Sequence, residues 1–82
     1  NITMYSGPMC AFCDAAKRLL VRNNLEFKEI DISSKDGLRE EMIQKAKGKR
    51  TIPQIFFNDE HIGGYQELRT LEKNGELQNS LK

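Results

Sequence analysis

The 82 residues include no tryptophan, two prolines, one histidine and two cysteines. Two cysteines and one histidine fall short of the four protein ligands of a structural zinc site, so no metal is expected from the residues alone. No apolar run approaches the length of a membrane span, and Asn1-Ile2-Thr3 does not open a signal peptide. The start without methionine leaves room for a trimmed chain. Charge of one sign is also missing. Thirteen Lys and Arg stand against twelve Asp and Glu, a formal net charge of +1, which gives no electrostatic case for nucleic acid or a membrane surface. There are no repeats, linkers or low-complexity segments. What remains is one domain, residues 1–82, with a single modest core.

The cysteines lie two residues apart, in Met9-Cys10-Ala11-Phe12-Cys13-Asp14. Cross-linking so short a loop gains only about 2 kcal/mol in the chain-entropy model. A domain stapled for export would separate its cysteines further. Use in redox chemistry within a reducing, cytoplasmic compartment is the better fit. The strand-like run Ile2-Thr3-Met4-Tyr5 precedes the pair, through the turn formers Ser6, Gly7 and Pro8. A helical pattern follows it, with Ala15, Ala16, Leu19 and Leu20 on one side. With a helix starting near Ala11, Cys10 falls at its N-cap, where unpaired amides and the helix dipole favour a negative sulfur. Cys13, one turn on, lies on the same side. Cys10 is then the expected nucleophile and Cys13 the resolving thiol of a thiol–disulfide exchange.

The first helix is predicted to run to about Arg22 and stop at Asn23-Asn24, with a second strand over Leu25 to Ile32. Ser33, Ser34 and Asp36 offer caps for a second helix whose apolar face is Leu38, Met42, Ile43 and Ala46, with Gly48 as its stop. Ile55 to Phe57 reads as a strand, Asn58-Asp59-Glu60 as a turn and His61-Ile62 as an antiparallel partner. A third helix spans Tyr65 to about Lys73, ending at Asn74-Gly75, and Leu77 and Leu81 suggest a short final helical turn. This β-α-β-α-β-β-α order predicts an α/β, thioredoxin-like fold: a four-stranded mixed sheet flanked by helices.

Three stretches in order carry a resemblance: Tyr5-Ser6 before Cys10-x-x-Cys13, then Thr51-Ile52-Pro53-Gln54-Ile55-Phe56, then His61-Ile62-Gly63-Gly64 before a helix. Together they resemble a dithiol glutaredoxin over nearly the whole chain. The resemblance implies a glutathione-dependent oxidoreductase of cell redox homeostasis that reduces protein disulfides and glutathione mixed disulfides. It implies a monomer, dimeric only if a glutathione-ligated [2Fe–2S] cluster is shared through Cys10. It also implies a glutathione site. Thr51, Ile52 and Pro53 would form the edge, with a cis bond before Pro53 and the Ile52 backbone pairing with the tripeptide. Gly64 would lead into the amides of Tyr65 and Gln66, which would take the γ-glutamyl carboxylate, with Glu67 near the glutamyl amine. Phe12 would serve as a platform beside Cys10.

The sequence departs from the usual family pattern in three places. Ala11 and Phe12 stand for Pro and Tyr, Gly7 for a lysine, and Tyr65 for Cys or Ser. Gly7 implies weaker hold on the glycine carboxylate, partly made up by Lys49 or Arg50, and Ala11 frees the loop for a cluster. Tyr65 either gates the site or packs at the helix start. A redoxin served by thioredoxin reductase is the alternative that would need no anion site at Tyr65-Gln66.

Overall fold

Strand β1 (Ile2–Ser6) runs through the sheet as the element on which the others are ordered. A computed structural model describes residues 1–81; the side chain of Leu81 and all of Lys82 lie outside the described residues. The remaining elements are α1 (Ala11–Arg22), β2 (Lys28–Asp31), α2 (Leu38–Lys45), β3 (Gln54–Phe57), β4 (Glu60–Gly63), α3 (Tyr65–Lys73) and a 3-10 turn at Asn79–Leu81. The sheet order is β2-β1-β3-β4. β1 pairs parallel with β2 and antiparallel with β3, and β3 and β4 form a hairpin. This is the thioredoxin-like arrangement expected from the element order.

Alternation along β1 splits the core into two layers. Ile2 and Met4 meet Ala16, Leu19 and Leu20 of α1 and Leu68 of α3, with Ile55 and Phe57 of β3 on the same face. Tyr5 and Phe56 face the other way, onto Met42 and Ala46 of α2. Met4, Leu19, Leu20 and Leu68 are fully buried, each stabilising the fold by about 1.5–3 kcal/mol. Leu77, after α3, closes the first layer.

Two local expectations are corrected. The second strand is four residues long and begins at Lys28, because Asn24 (φ 59°) takes a left-handed turn. The Leu25 amide then bonds the Leu20 carbonyl and the Asn24 amide the Val21 carbonyl, both at 3.0 Å. These two bonds close α1 in a Schellman motif, and residues 25–27 form the exit from it. The serines offered as caps do not cap α2. The Ser33 amide and hydroxyl donate to Asp31 Oδ1 at 2.8 and 2.6 Å, and the Ser34 hydroxyl to the Asp31 carbonyl at 2.6 Å. They are spent on an Asx turn at the end of β2. α2 instead starts behind Gly37, with no side-chain cap.

Candidate active site

Chain direction at the end of β1 decides where the first cysteine sits. Met9 takes φ 52° and Cys10 is extended (φ −118°, ψ 104°), which makes Cys10 the N-cap of α1. The Cys13 amide donates to Cys10 Sγ at 3.1 Å. An amide aimed at sulfur from the first turn of a helix stabilises negative charge there. Cys10 is half-buried, Cys13 is 1% exposed, and both are free thiols. Burial, then the hydrogen bond with Cys10, pushes the Cys13 thiol up to about 12, against smaller opposing effects of the Gly7 backbone and Lys17. The two sulfurs are thus unlike: one accessible beneath an amide, the other enclosed.

The loop before β3 faces them. The Ile52–Pro53 bond is cis, and the Cys10 thiol lies 3.8 Å from the Ile52 carbonyl as its donor. Gln54, 2% exposed, fixes this loop by donating from Nε2 to the Thr51 carbonyl at 2.9 Å and to Thr51 Oγ1 at 3.2 Å. Its own carbonyl takes the third bond, from His61 Nε2 at 2.7 Å. His61 therefore carries its proton on Nε2, and burial followed by Lys47 holds its pKa down. In the sequence His61 reads as a partly exposed strand residue and Gln54 carries no assigned role. The one available signal was a polar residue inside the apolar run Ile52 to Phe57.

One groove of about 330 Å³ is lined by Phe12, Thr51, Ile52, Pro53, Gly64, Tyr65, Gln66 and Glu67. The structure thus brings Thr51, Ile52, Pro53, Gly64, Tyr65, Gln66 and Glu67, which the resemblance assigned to glutathione, into one groove with Phe12. The Phe12 and Tyr65 rings stack across it, centroids 5.9 Å apart at 28°. Glu67 turns back to accept from the Gly64 amide at 2.7 Å. A Cβ on Gly64 would sit 3.3 Å from the Pro53 carbonyl oxygen, and one on Gly63 (φ 127°) 2.7 Å from Glu67 Oε1. Glycine at both positions lets the α3 N-terminus close on the proline loop. Gly7 abuts the same loop: a Cβ there would lie 2.8 Å from Ile52 Cδ1. Lys49 and Arg50 are exposed just before Thr51. A larger cavity of about 590 Å³ shares Gln66 and Glu67 but contains no residue of the cysteine run or the Thr51–Pro53 loop.

An accessible cysteine at a helix N-cap, a buried one a turn behind it, and a cis-proline loop opposite define a dithiol redox protein of thioredoxin-like fold. The glutaredoxin family model matches residues 2–62. A probable glutaredoxin of Synechocystis is 42% identical over 94% of this chain and 88% of its own length. Glutaredoxin 3 of Escherichia coli is 39% identical over 100% and 98%. The solution structure of glutaredoxin from Brucella melitensis superposes with a TM-score of 0.86 at 43% identity, over 100% of this chain and 88% of that one. The chain belongs to the glutaredoxin family, thiol–disulfide oxidoreductases that use glutathione.

Proposed function

We propose that this protein reduces protein disulfides and glutathione mixed disulfides at the expense of glutathione, through Cys10 and Cys13. The observation that carries this reading is the placement of the Cys10 sulfur at the α1 N-cap, facing the Ile52 carbonyl of a loop that edges the Phe12–Glu67 groove. Cys10 thiolate attacks one sulfur of the substrate disulfide, that bond breaks, and the departing thiolate takes a proton. With a protein disulfide, Cys13 then displaces the remaining half, leaving a Cys10–Cys13 disulfide. With a glutathione mixed disulfide, Cys10 keeps glutathione and a second glutathione thiolate removes it as glutathione disulfide. In the first route two glutathiones reduce the Cys10–Cys13 disulfide and leave as glutathione disulfide; in the second, one glutathione is consumed, the other half of the glutathione disulfide coming from the substrate.

The groove suits an extended tripeptide bearing two carboxylates. The Ile52 backbone offers main-chain pairing, and the first-turn amides of Tyr65 and Gln66, at the positive end of α3, suit an anionic end. Glu67, with one oxygen on Gly64, has the other for an amine. Lys49 and Arg50 are the basic residues next to this edge. The setting is a reducing one, the cytoplasm, with the protein as a monomer. No described helix is long and apolar enough to cross a membrane.

The test is NADPH consumption with a glutathionylated peptide. Turnover with glutathione and glutathione reductase supports the reading; turnover with thioredoxin reductase alone would replace it with the thioredoxin-linked one. A shared [2Fe–2S] cluster is the second reading. It is favoured by the exposed Ala11, whose N–H and small side chain leave the Cys10 loop open. Among the described residues no three His, Cys, Asp or Glu gather to hold a metal. A cluster would thus need Cys10 from two copies and two glutathione thiolates. Anaerobic reconstitution yielding a coloured dimer that Cys10→Ser does not form tests it.

A further inference from the structure

The exchange above leaves one chemical need unmet: Cys13 must become negative inside the fold to attack. Cys13 is buried in the first turn of α1. Lys17 follows it by one turn on α1, on the same side of the helix, and its side chain is 34% exposed. It does not wander in solvent. Lys17 Nζ lies 2.8 Å from Glu29 Oε2 on β2 and 3.9 Å from Asp14 Oδ1. Glu29 is fixed in turn by the hydroxyl of Ser6, which donates to the same oxygen at 2.6 Å. Ser6 is 1% exposed and closes β1. Ser6, Glu29 and Lys17 therefore form one connected set that pins the ammonium one helical turn after the resolving cysteine, on its side of α1.

We propose that Lys17 serves the second half of the exchange: held in place by Glu29 and Ser6, its ammonium stabilises the negative Cys13 sulfur as that sulfur attacks Cys10. This rests on the dithiol reading above. The step balances as follows. Cys13 S–H releases its proton to solvent, and the thiolate bonds to Cys10 Sγ. The bond from Cys10 to the substrate sulfur breaks, and the electron pair leaves with that sulfur, which is then protonated. Cys10 and Cys13 end as a disulfide, and the substrate half is reduced. The titratable groups that act on Cys13 are Cys10 at the cap and Lys17 on α1; Glu29 on β2 and Asp14 on α1 act in turn on Lys17. Lys17 is the one cation among them. The field of Lys17 favours the charged Cys13 sulfur, and the ion pair raises Lys17 above its ordinary value, keeping it charged throughout the neutral range. A lysine free of Glu29 would spread its charge over many rotamers; the anchored one holds a fixed position.

Stopped-flow reaction of the fully reduced chain with excess 5,5′-dithiobis(2-nitrobenzoate), from pH 5.5 to 9, separates the two sulfurs. The first release of thionitrobenzoate reports attack by Cys10, and the second reports displacement by Cys13. A nearby opposite charge lowers a thiol's pKa by about one unit at the weak end of the range. Removing Lys17 makes the Cys13 thiolate at most about tenfold scarcer and about threefold more nucleophilic, a net slowing of up to about threefold to fourfold. Lys17→Met and Lys17→Gln should both slow the second phase by that factor and move its rise to higher pH, with the first phase within twofold of native. Lys17→Arg should restore the second phase. An unchanged second phase in Lys17→Met overturns the proposal. So does equal slowing of both phases, which would mark a merely structural pair. If the unsubstituted protein shows no second phase at all, the dithiol reading fails first and the proposal falls with it.

Discussion

Phe12, at the second residue of α1, and Tyr65, at the first residue of α3, stack at 5.9 Å and 28° across the mouth of the groove. Both stand where the usual family pattern has another residue, so the two departures meet each other. Phe12 is 59% exposed, while Tyr65 packs against the α1–α3 core layer. Tyr65 is therefore the anchored ring and Phe12 the free one.

That asymmetry sets the first prediction. Stacked aromatic pairs couple by about 0.5–1.5 kcal/mol beyond their burial. Phe12→Ala and Tyr65→Ala should each raise KM for a glutathionylated peptide by a few-fold. Their double mutant should fall short of the product of the two, and only Tyr65→Ala should lower Tm noticeably. Fully multiplicative KM effects would show that the rings act independently.

The thiol roles give the second. With burial and the Cys10 hydrogen bond pushing the Cys13 thiol up to about 12, Cys13 is almost wholly protonated at pH 7. Iodoacetamide at pH 7 should therefore label Cys10 alone. Cys10→Ser should abolish all exchange, and Cys13→Ser should lose protein disulfide reduction while still turning over glutathione mixed disulfides. Mass-spectrometric mapping of the label checks the order; faster labelling at Cys13 would exchange the roles.

Gly7 supplies the third. The missing lysine alone suggests that Gly7→Lys should tighten hold on glutathione, but any side chain at this position meets Ile52 Cδ1 at 2.8 Å. Ile52 must give way, and it edges the groove. Cδ1 is the free end of a flexible side chain, so the shift costs little stability but moves the Ile52 edge of the groove. Gly7→Ala, which adds bulk without charge, should raise KM several-fold with a smaller change in kcat. Unchanged KM in Gly7→Ala would return the charge argument to first place.

Glu72 yields the fourth. It accepts from Arg22 Nε at 2.9 Å and Arg22 NH2 at 2.7 Å, and from Asn23 Nδ2 at 2.7 Å, tying α3 to α1. The Arg22 bond, then the Asn23 bond, lower its carboxyl to about 2. A lowered carboxylate contributes stability that is full above its ordinary value near 4.5 and is lost as pH falls towards 2. Screening at this partly exposed clasp holds the contribution to about 1 kcal/mol or less. Glu72→Gln should lower Tm at pH 7, and the difference from the unsubstituted protein should shrink between pH 4.5 and 2. A constant difference across that range would assign the loss to packing.

Much of this was legible in the sequence because period and punctuation reported it. The Ala16–Leu19–Leu20 stripe, the Cys10-x-x-Cys13 junction, the Asn58-Asp59 turn and the Gly63-Gly64 break each act within a few residues. The Thr51–Pro53 and Tyr65–Glu67 pieces of the groove were legible only as a family resemblance, since more than fifty residues of chain separate Phe12 on α1 from the start of α3. Side-chain hydrogen bonding was not legible. Ser33 and Ser34 look the same as helix caps or as partners of Asp31, and Gln54 looks like any strand residue until Thr51 and His61 are placed around it. Lys17 likewise reads as solvated charge on a helix until β2 brings Glu29 to it.

The central claim is that glutathione, joined to Cys10, lies in the groove from Thr51 to Glu67. The direct measurement is chemical-shift mapping of the Cys13→Ser protein, reduced and then carrying glutathione as the mixed disulfide on Cys10. The account predicts large amide shifts at Thr51, Ile52, Tyr65 and Gln66, with intermolecular contacts from Ile52 to the glutathione cysteine and from Gln66 to its γ-glutamyl end. Shifts confined to Cys10 and its neighbours on α1, with the Thr51 loop and the α3 N-terminus unmoved, would contradict it.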